Sequence, residues 1–170
     1  MSLPDDLLFQ ARMLATIDPR RPRQVNLRRS ISSAYYALFH LLTSDAARLF
    51  VRDEPATASR LARSFSHADL RNVSLEFSKG QLPKSLRSPE VTVEISEQLR
   101  SVCKAVTRLQ QVRHSADYDV SQTFVRQDAI DFVEEAETAF ANWLIVKGSD
   151  QARLYLACFS MWDTWNKPPR

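Results

Sequence analysis

An all-α fold is predicted: an antiparallel up-and-down bundle of four long helices, with shorter helices between them. Three observations predict it. Apolar residues recur at steps of three and four in several separate stretches. Recognisable helix starts precede most of those stretches. The 170 residues include two Gly against eight Pro, which suits neither a turn-dense β-sandwich nor a Gly-rich phosphate loop.

The first helix starts at Ser2-Leu3-Pro4-Asp5, with Pro in the first turn and a carboxylate near the amino end. Leu7, Leu8, Ala11, Leu14 and Ala15 carry its apolar spacing, and Asp18-Pro19 ends it. A basic connector follows, with Arg20, Arg21 and Arg23. The second helix runs from about Gln24 to about Phe50 on the stripe Ile31, Ala34, Tyr35, Leu38, Leu41, Leu42 and Leu49. Asp53-Glu54-Pro55 breaks it. A short helix spans about Thr57 to Phe65. Ser66 with Asp69 caps another, which ends near Phe77. Ser88-Pro89-Glu90 starts a long helix on Val91, Ile95, Leu99, Val102, Val106, Leu109 and Val112, reaching about His114. Val91-Thr92-Val93 reads as slightly strand-like but is too short to alter the class. The last long helix covers about Arg126 to Lys147 on Ala129, Ile130, Val133, Ala136, Phe140, Trp143 and Leu144, and Gly148 closes it. The domain expectation is a bundle over residues 1–148. Residues 149–170 then add a short helix (Leu154, Leu156, Phe159) and the tail Lys167-Pro168-Pro169-Arg170.

No apolar run approaches the ~20 residues of a membrane-spanning helix. MSLPDDLLFQ carries acid where a secretory signal carries base, so no membrane and a cytoplasmic location are expected. Cys103 and Cys158 lie far apart and read as reduced thiols. Residues 1–90 hold 14 basic and 9 acidic side chains, residues 91–170 hold 9 and 11, and 18 of the 23 basic residues are Arg. Arg suits phosphate and carboxylate, which tilts the reading toward an anionic partner.

Two segments carry candidate chemistry. On the second helix, Arg29, Ser33, Tyr36 and His40 fall on one ridge nearly opposite the Leu/Ile stripe. A guanidinium, a hydroxyl, a phenol and an imidazole in line could hold a phosphate. They could equally be a solvated face, or pack against a second subunit. The other segment is Arg113-His114-Ser115-Ala116-Asp117-Tyr118-Asp119. Arg113 could hold a phosphate and His114 could move protons near neutral pH. Alternatively Arg113 pairs with Asp117 along the helix and Tyr118 fills a corner. His67 reads as a helix-start residue, and Asp128, Asp131, Glu134, Glu135 and Glu137 as a wet face. No metal-ligand spacing and no cofactor fingerprint is present.

Leu27-Arg28-Arg29-Ser30-Ile31-Ser32-Ser33-Ala34-Tyr35-Tyr36-Ala37-Leu38-Phe39-His40 resembles the second-helix signature of HEPN domains, Arg-Ala-Tyr-Tyr-Ala-x-Phe-His. Arg113-His114-Ser115-Ala116-Asp117-Tyr118 resembles the Arg-x-x-Ala-Asp-Tyr segment of one branch of that family. Ser66-His67 followed by Phe77 is similar to the middle of that branch. The resemblance covers about residues 5–147. It implies a compact HEPN-like bundle that forms a homodimer, in a prokaryotic setting, often beside a minimal nucleotidyltransferase in a toxin–antitoxin or defence pair.

Many HEPN proteins are metal-independent ribonucleases with an Arg followed, some residues later, by His. Arg113 matches that Arg, but the position five along is Tyr118, and Val120 stands where a toxin subgroup has Tyr. Arg60 and His67 have the nominal spacing on the wrong helix. A phenol with a pKa near ~10 is a poor base at neutral pH, so cleavage would fall to His40 or His114.

The expected function is a dimeric module. Its cleft, from Arg29, Ser33, Tyr36, His40, Arg113, Asp117 and Tyr118, takes RNA or a nucleotide phosphate, or engages a nucleotidyltransferase antitoxin, with no cofactor. Two alternatives are an endoribonuclease toxin using Arg113, His114, Tyr118 and His40, and a purely structural dimerisation bundle.

Overall fold

The structure is a computed structural model that describes residues 2–90 and 93–166, the side chains of Trp165 and Asn166 excepted. It is all-helical, with no strand among the described residues. The helices are α1 (Leu3–Thr16), α2 (Gln24–Phe50), α3 (Pro55–Ala62), α4 (His67–Ser78), α5 (Glu97–Tyr118), α6 (Arg126–Val146), α7 (Asp150–Ser160) and α8 (Trp162–Asn166), with a 3-10 turn at Lys84–Leu86. Val91, Thr92 and the tail Lys167-Pro168-Pro169-Arg170 lie outside the described residues.

The caps explain most of the boundaries. The Asp5 carboxylate accepts from the Ser2 backbone N–H at 3.0 Å and from its hydroxyl at 2.7 Å, fixing the start of α1. Ser66 accepts from the Asp69 N–H at 3.0 Å and Ser149 from the Ala152 N–H at 3.3 Å, which start α4 and α7. Gly148 turns the chain between α6 and α7 at φ +89°, a conformation that costs other residues a Cβ clash. Pro55 opens α3 rather than preceding it, because Pro is tolerated at the first helical position.

The α5 boundaries differ from expectation at both ends. The helix starts at Glu97, not at Ser88. Ile95, four residues before Leu99, continues its apolar phase, so spacing alone hides the true start. Ser96 sets it: its Oγ accepts from the Leu99 N–H at 3.3 Å, and its own N–H donates to Gln151 Oε1 at 2.7 Å. At the other end α5 runs past His114 to Tyr118, because Arg28 collects the carbonyls there. Its guanidinium donates to Ala116 O at 2.8 Å, to Asp119 O at 2.9 Å and to Gln122 O. A cation on the last carbonyls of a helix also complements its dipole.

The described residues fall into two compact units. Unit 1 comprises residues up to Leu41 with Ala105–Ala141, and unit 2 comprises Leu42–Lys104 with residues from Asn142 on. In unit 1, Ala15, Leu27, Ile31, Ala116, Phe124 and Ala129 form a core cluster. The small residues Ala11 and Ala15 are buried, which brings α1 close enough for the Ser30 hydroxyl to donate to Ala11 O at 2.7 Å. Gln24 clamps the backbone of Phe124, donating to its carbonyl at 2.7 Å and accepting from its N–H at 2.9 Å.

Unit 2 is built on aromatic rings. Tyr155 packs edge-on against Phe77 and Trp143, with centroids at 5.2 and 6.1 Å, and its hydroxyl shares a 2.8 Å hydrogen bond with Ser74. Cys103 and Cys158 are both free and buried, and burial pushes the Cys158 thiol up to about 12. Asp45, only 6% exposed, accepts from Trp143 Nε1 at 2.8 Å and from Lys147 Nζ at 2.9 Å. Asp45→Ala strands the buried indole N–H. It is expected to lower the free energy of urea unfolding by about 1–3 kcal/mol, while Asp45→Asn, which keeps an acceptor, loses less.

Candidate functional site

The α2 segment from Ser30 to Phe39 is buried on every side except at Tyr36. The ridge Arg29–Ser33–Tyr36–His40 is therefore not one continuous face opposite the core. Ser33 is buried and donates to Gln10 Oε1 on α1 at 3.1 Å. Tyr36 and His40 are half-buried, with ring centroids 6.3 Å apart. Arg29 is exposed and has no partner among the described residues. Three serines in the run Ser30-Ile31-Ser32-Ser33 let neighbouring backbone come close, and each hydroxyl has a partner, so none is buried at a loss.

The other segment meets α2 at one place. Arg113 is buried, with its guanidinium carbon 5.2 Å from the centroid of the Tyr35 ring and 5.3 Å from that of Tyr36. One turn along α5, Asp117 Oδ2 lies 3.6 Å from Arg113 Nη1. Asp117 Oδ1 in turn accepts from the Ser32 hydroxyl at 2.5 Å. Ser32, Tyr35 and Tyr36 share a face because they are spaced by three and four residues, as Arg113 and Asp117 are on the partner helix. A guanidinium between two ring faces and a carboxylate keeps its charge out of bulk water. Its Nε is buried with no hydrogen-bond partner. Burial raises the pKa of the Tyr35 phenol, and the nearby Arg113 charge opposes that rise. Tyr35 therefore stays neutral at physiological pH.

Spacing joined Arg113 to Asp117 correctly but missed two members of this cluster. Tyr35 reads as one more apolar stripe residue, and Ser32 as filler. The available signal was the offset of Ser32 by three residues from Tyr35 and by four from Tyr36. His114 and Tyr118 point outward: both are exposed, with ring centroids 5.0 Å apart. His67 lies in the first turn of α4, in unit 2. Among the described residues no group of three or more His, Cys, Asp or Glu side chains is placed to hold a metal ion. No helix among them is long and apolar enough to cross a membrane.

His40 differs from His114 in setting. Desolvation holds its imidazole below the ordinary value of 6.5, so it is neutral at pH 7. The unfolded chain then binds a proton that the folded chain resists. Stability from this group is present above about pH 6.5 and is lost as pH falls through the folded value. Urea unfolding between about pH 8 and pH 5.5 is expected to show a decline toward acid that is reduced in His40→Gln.

Comparison with family models, with curated proteins and with solved structures gave no match.

Proposed function

We propose that the chain is a HEPN-like antiparallel helical bundle acting as a homodimeric module. It binds RNA or a nucleotide phosphate, or docks a minimal nucleotidyltransferase in a toxin–antitoxin or defence pair. The observation that carries this reading is the Arg113 cluster. The two segments of the resemblance, some 75 residues apart in sequence, meet in unit 1 through Arg113, Asp117, Ser32, Tyr35 and Tyr36. Arg113 is engaged on three sides, so its first role is to fix α5 against α2. The contact with phosphate then falls to exposed groups within three residues of a cluster member in sequence, Arg29 on α2 and His114 and Tyr118 on α5. Arg20 and Arg21, both exposed and without partners among the described residues, add cationic surface to the same unit.

A specific observation favours the second reading, a metal-independent endoribonuclease. The half-buried His40 is held in its neutral, proton-accepting form on Tyr36. In that reading Arg113 must swing from the tyrosine rings toward the scissile phosphate. The dimer is supported by α1 and its C-cap, where Phe9, Met13 and Ile17 recur every fourth residue and are 58%, 47% and 51% exposed.

Structured RNA at low salt and in EDTA separates the readings. Binding that weakens with salt, and by about tenfold in the double variant Arg29→Ala/His114→Ala, is the expected result. Intact RNA rejects the nuclease, whereas cleavage that disappears in His40→Gln establishes it. No binding at low salt sinks the RNA reading. In light scattering the chain is expected to run at twice its 19.5 kDa mass, and Phe9→Glu/Met13→Glu to run as a monomer.

A further inference from the structure

Unit 2 contains a cleft of about 270 Å³ bounded by the end of α2, the end of α6 and the start of α7. Four cations line it: Arg48, Arg52, Lys147 and Arg153. Among the described residues, two carboxylates answer them. Asp45 is buried at the base, taking the Trp143 N–H and Lys147, and lies 3.7 Å from Arg48. Asp150 is exposed and lies 3.4 Å from Arg153. Arg52 has no partner among the described residues, and its sequence neighbours Asp53 and Glu54 do not line the cleft.

The remaining wall is apolar, chiefly Leu49 and Leu156. Leu49 is 41% exposed, so it offers surface for a ligand to cover. Gly148, which precedes the N-cap of α7, sits on the same rim. Converging cations beside an apolar wall fit a ligand with a dianionic head and a less polar body. A lone carboxylate would leave part of the positive charge unanswered, and Arg forks match phosphate oxygens. The volume limits the ligand to about the size of a mononucleotide.

We propose that this cleft is a binding site for a small phosphate monoester of mononucleotide size. Arg52, Arg153 and Lys147 take the phosphate, and the body lies on Leu49 and Leu156. Asp45 holds Lys147 in place from below and does not touch the ligand. The site stands apart from the unit 1 reading and does not depend on it.

Isothermal titration of the full chain with AMP, adenosine and inorganic phosphate at low salt tests the assignment. AMP is expected to bind saturably, to weaken as salt rises, and to bind more tightly than phosphate, while adenosine gives no heat. Arg52→Ala/Arg153→Ala is expected to lower AMP affinity by about tenfold or more. Both residues are exposed, so the fold should persist, and circular dichroism checks it. Arg71→Ala, an exposed cation on α4 that does not line the cleft, is expected to leave AMP affinity unchanged. Any of four results overturns the proposal: no saturable heat by about 5 mM AMP, adenosine or phosphate alone matching AMP, undiminished affinity in the Arg52/Arg153 variant, or equal loss in the Arg71 variant.

Discussion

Burying a guanidinium is costly unless its charge is answered on the spot, and unit 1 is organised around answering it at Arg113. The answer is distributed. Two phenol rings supply their negative faces, and Asp117 supplies a counter-charge one helical turn away. The Ser32 hydroxyl holds that carboxylate from α2. No single partner is at ideal geometry, since the Arg113–Asp117 approach is 3.6 Å and Nε has no partner. Such an arrangement specifies which faces of α2 and α5 meet more than it adds net stability. Sliding either helix by one residue would strand the charge. It also makes the cluster sensitive to Arg→Lys exchange, because an ammonium has no planar face to set against a ring.

Arg28 does for the end of α5 what Arg113 does for its flank. The two arginines in Arg28-Arg29 look interchangeable in sequence, yet one is bound to three carbonyls and the other stands in solvent. Helix phase separates them. Residues one apart on a helix point about 100° from each other, so Arg28 faces α5 while Arg29 does not. The extension of α5 to Tyr118 follows from the Arg28 contact, and with it the outward placement of His114 and Tyr118. The placement of the exposed His114 and Tyr118 rings is therefore tied to a structural arginine on a different helix.

Much of the fold was legible in the sequence because helix caps and apolar steps are local signals. Ser2 with Asp5, Ser66 with Asp69, and Gly148 all act where their chemistry says they should. The start of α5 was not legible, because Ile95 keeps helical phase with Leu99 ahead of the helix and the deciding contact, Ser96 to Gln151, is 55 residues away in the chain. The candidate site was half legible. Arg113 with Asp117 is an i,i+4 pair and can be read directly. The burial of α2 between Ser30 and Phe39 cannot be, since serines at 30, 32 and 33 look like a polar face until their hydroxyls are seen to be bonded inward.

The two histidines near the cluster show why residue type alone does not assign chemistry. His114 sits directly after Arg113 but is exposed, and the ring it contacts, Tyr118, is exposed as well. His40 is half-buried, stacked on Tyr36 and next to Phe39, whose ring centroid is 5.6 Å away. Packing holds its orientation, and desolvation holds it neutral. A general base needs both properties, whereas a phosphate contact at neutral pH favours a permanent cation such as Arg29. Under the readings proposed above, binding and proton transfer would therefore fall to different residues of unit 1, and loss of one would not by itself remove the other.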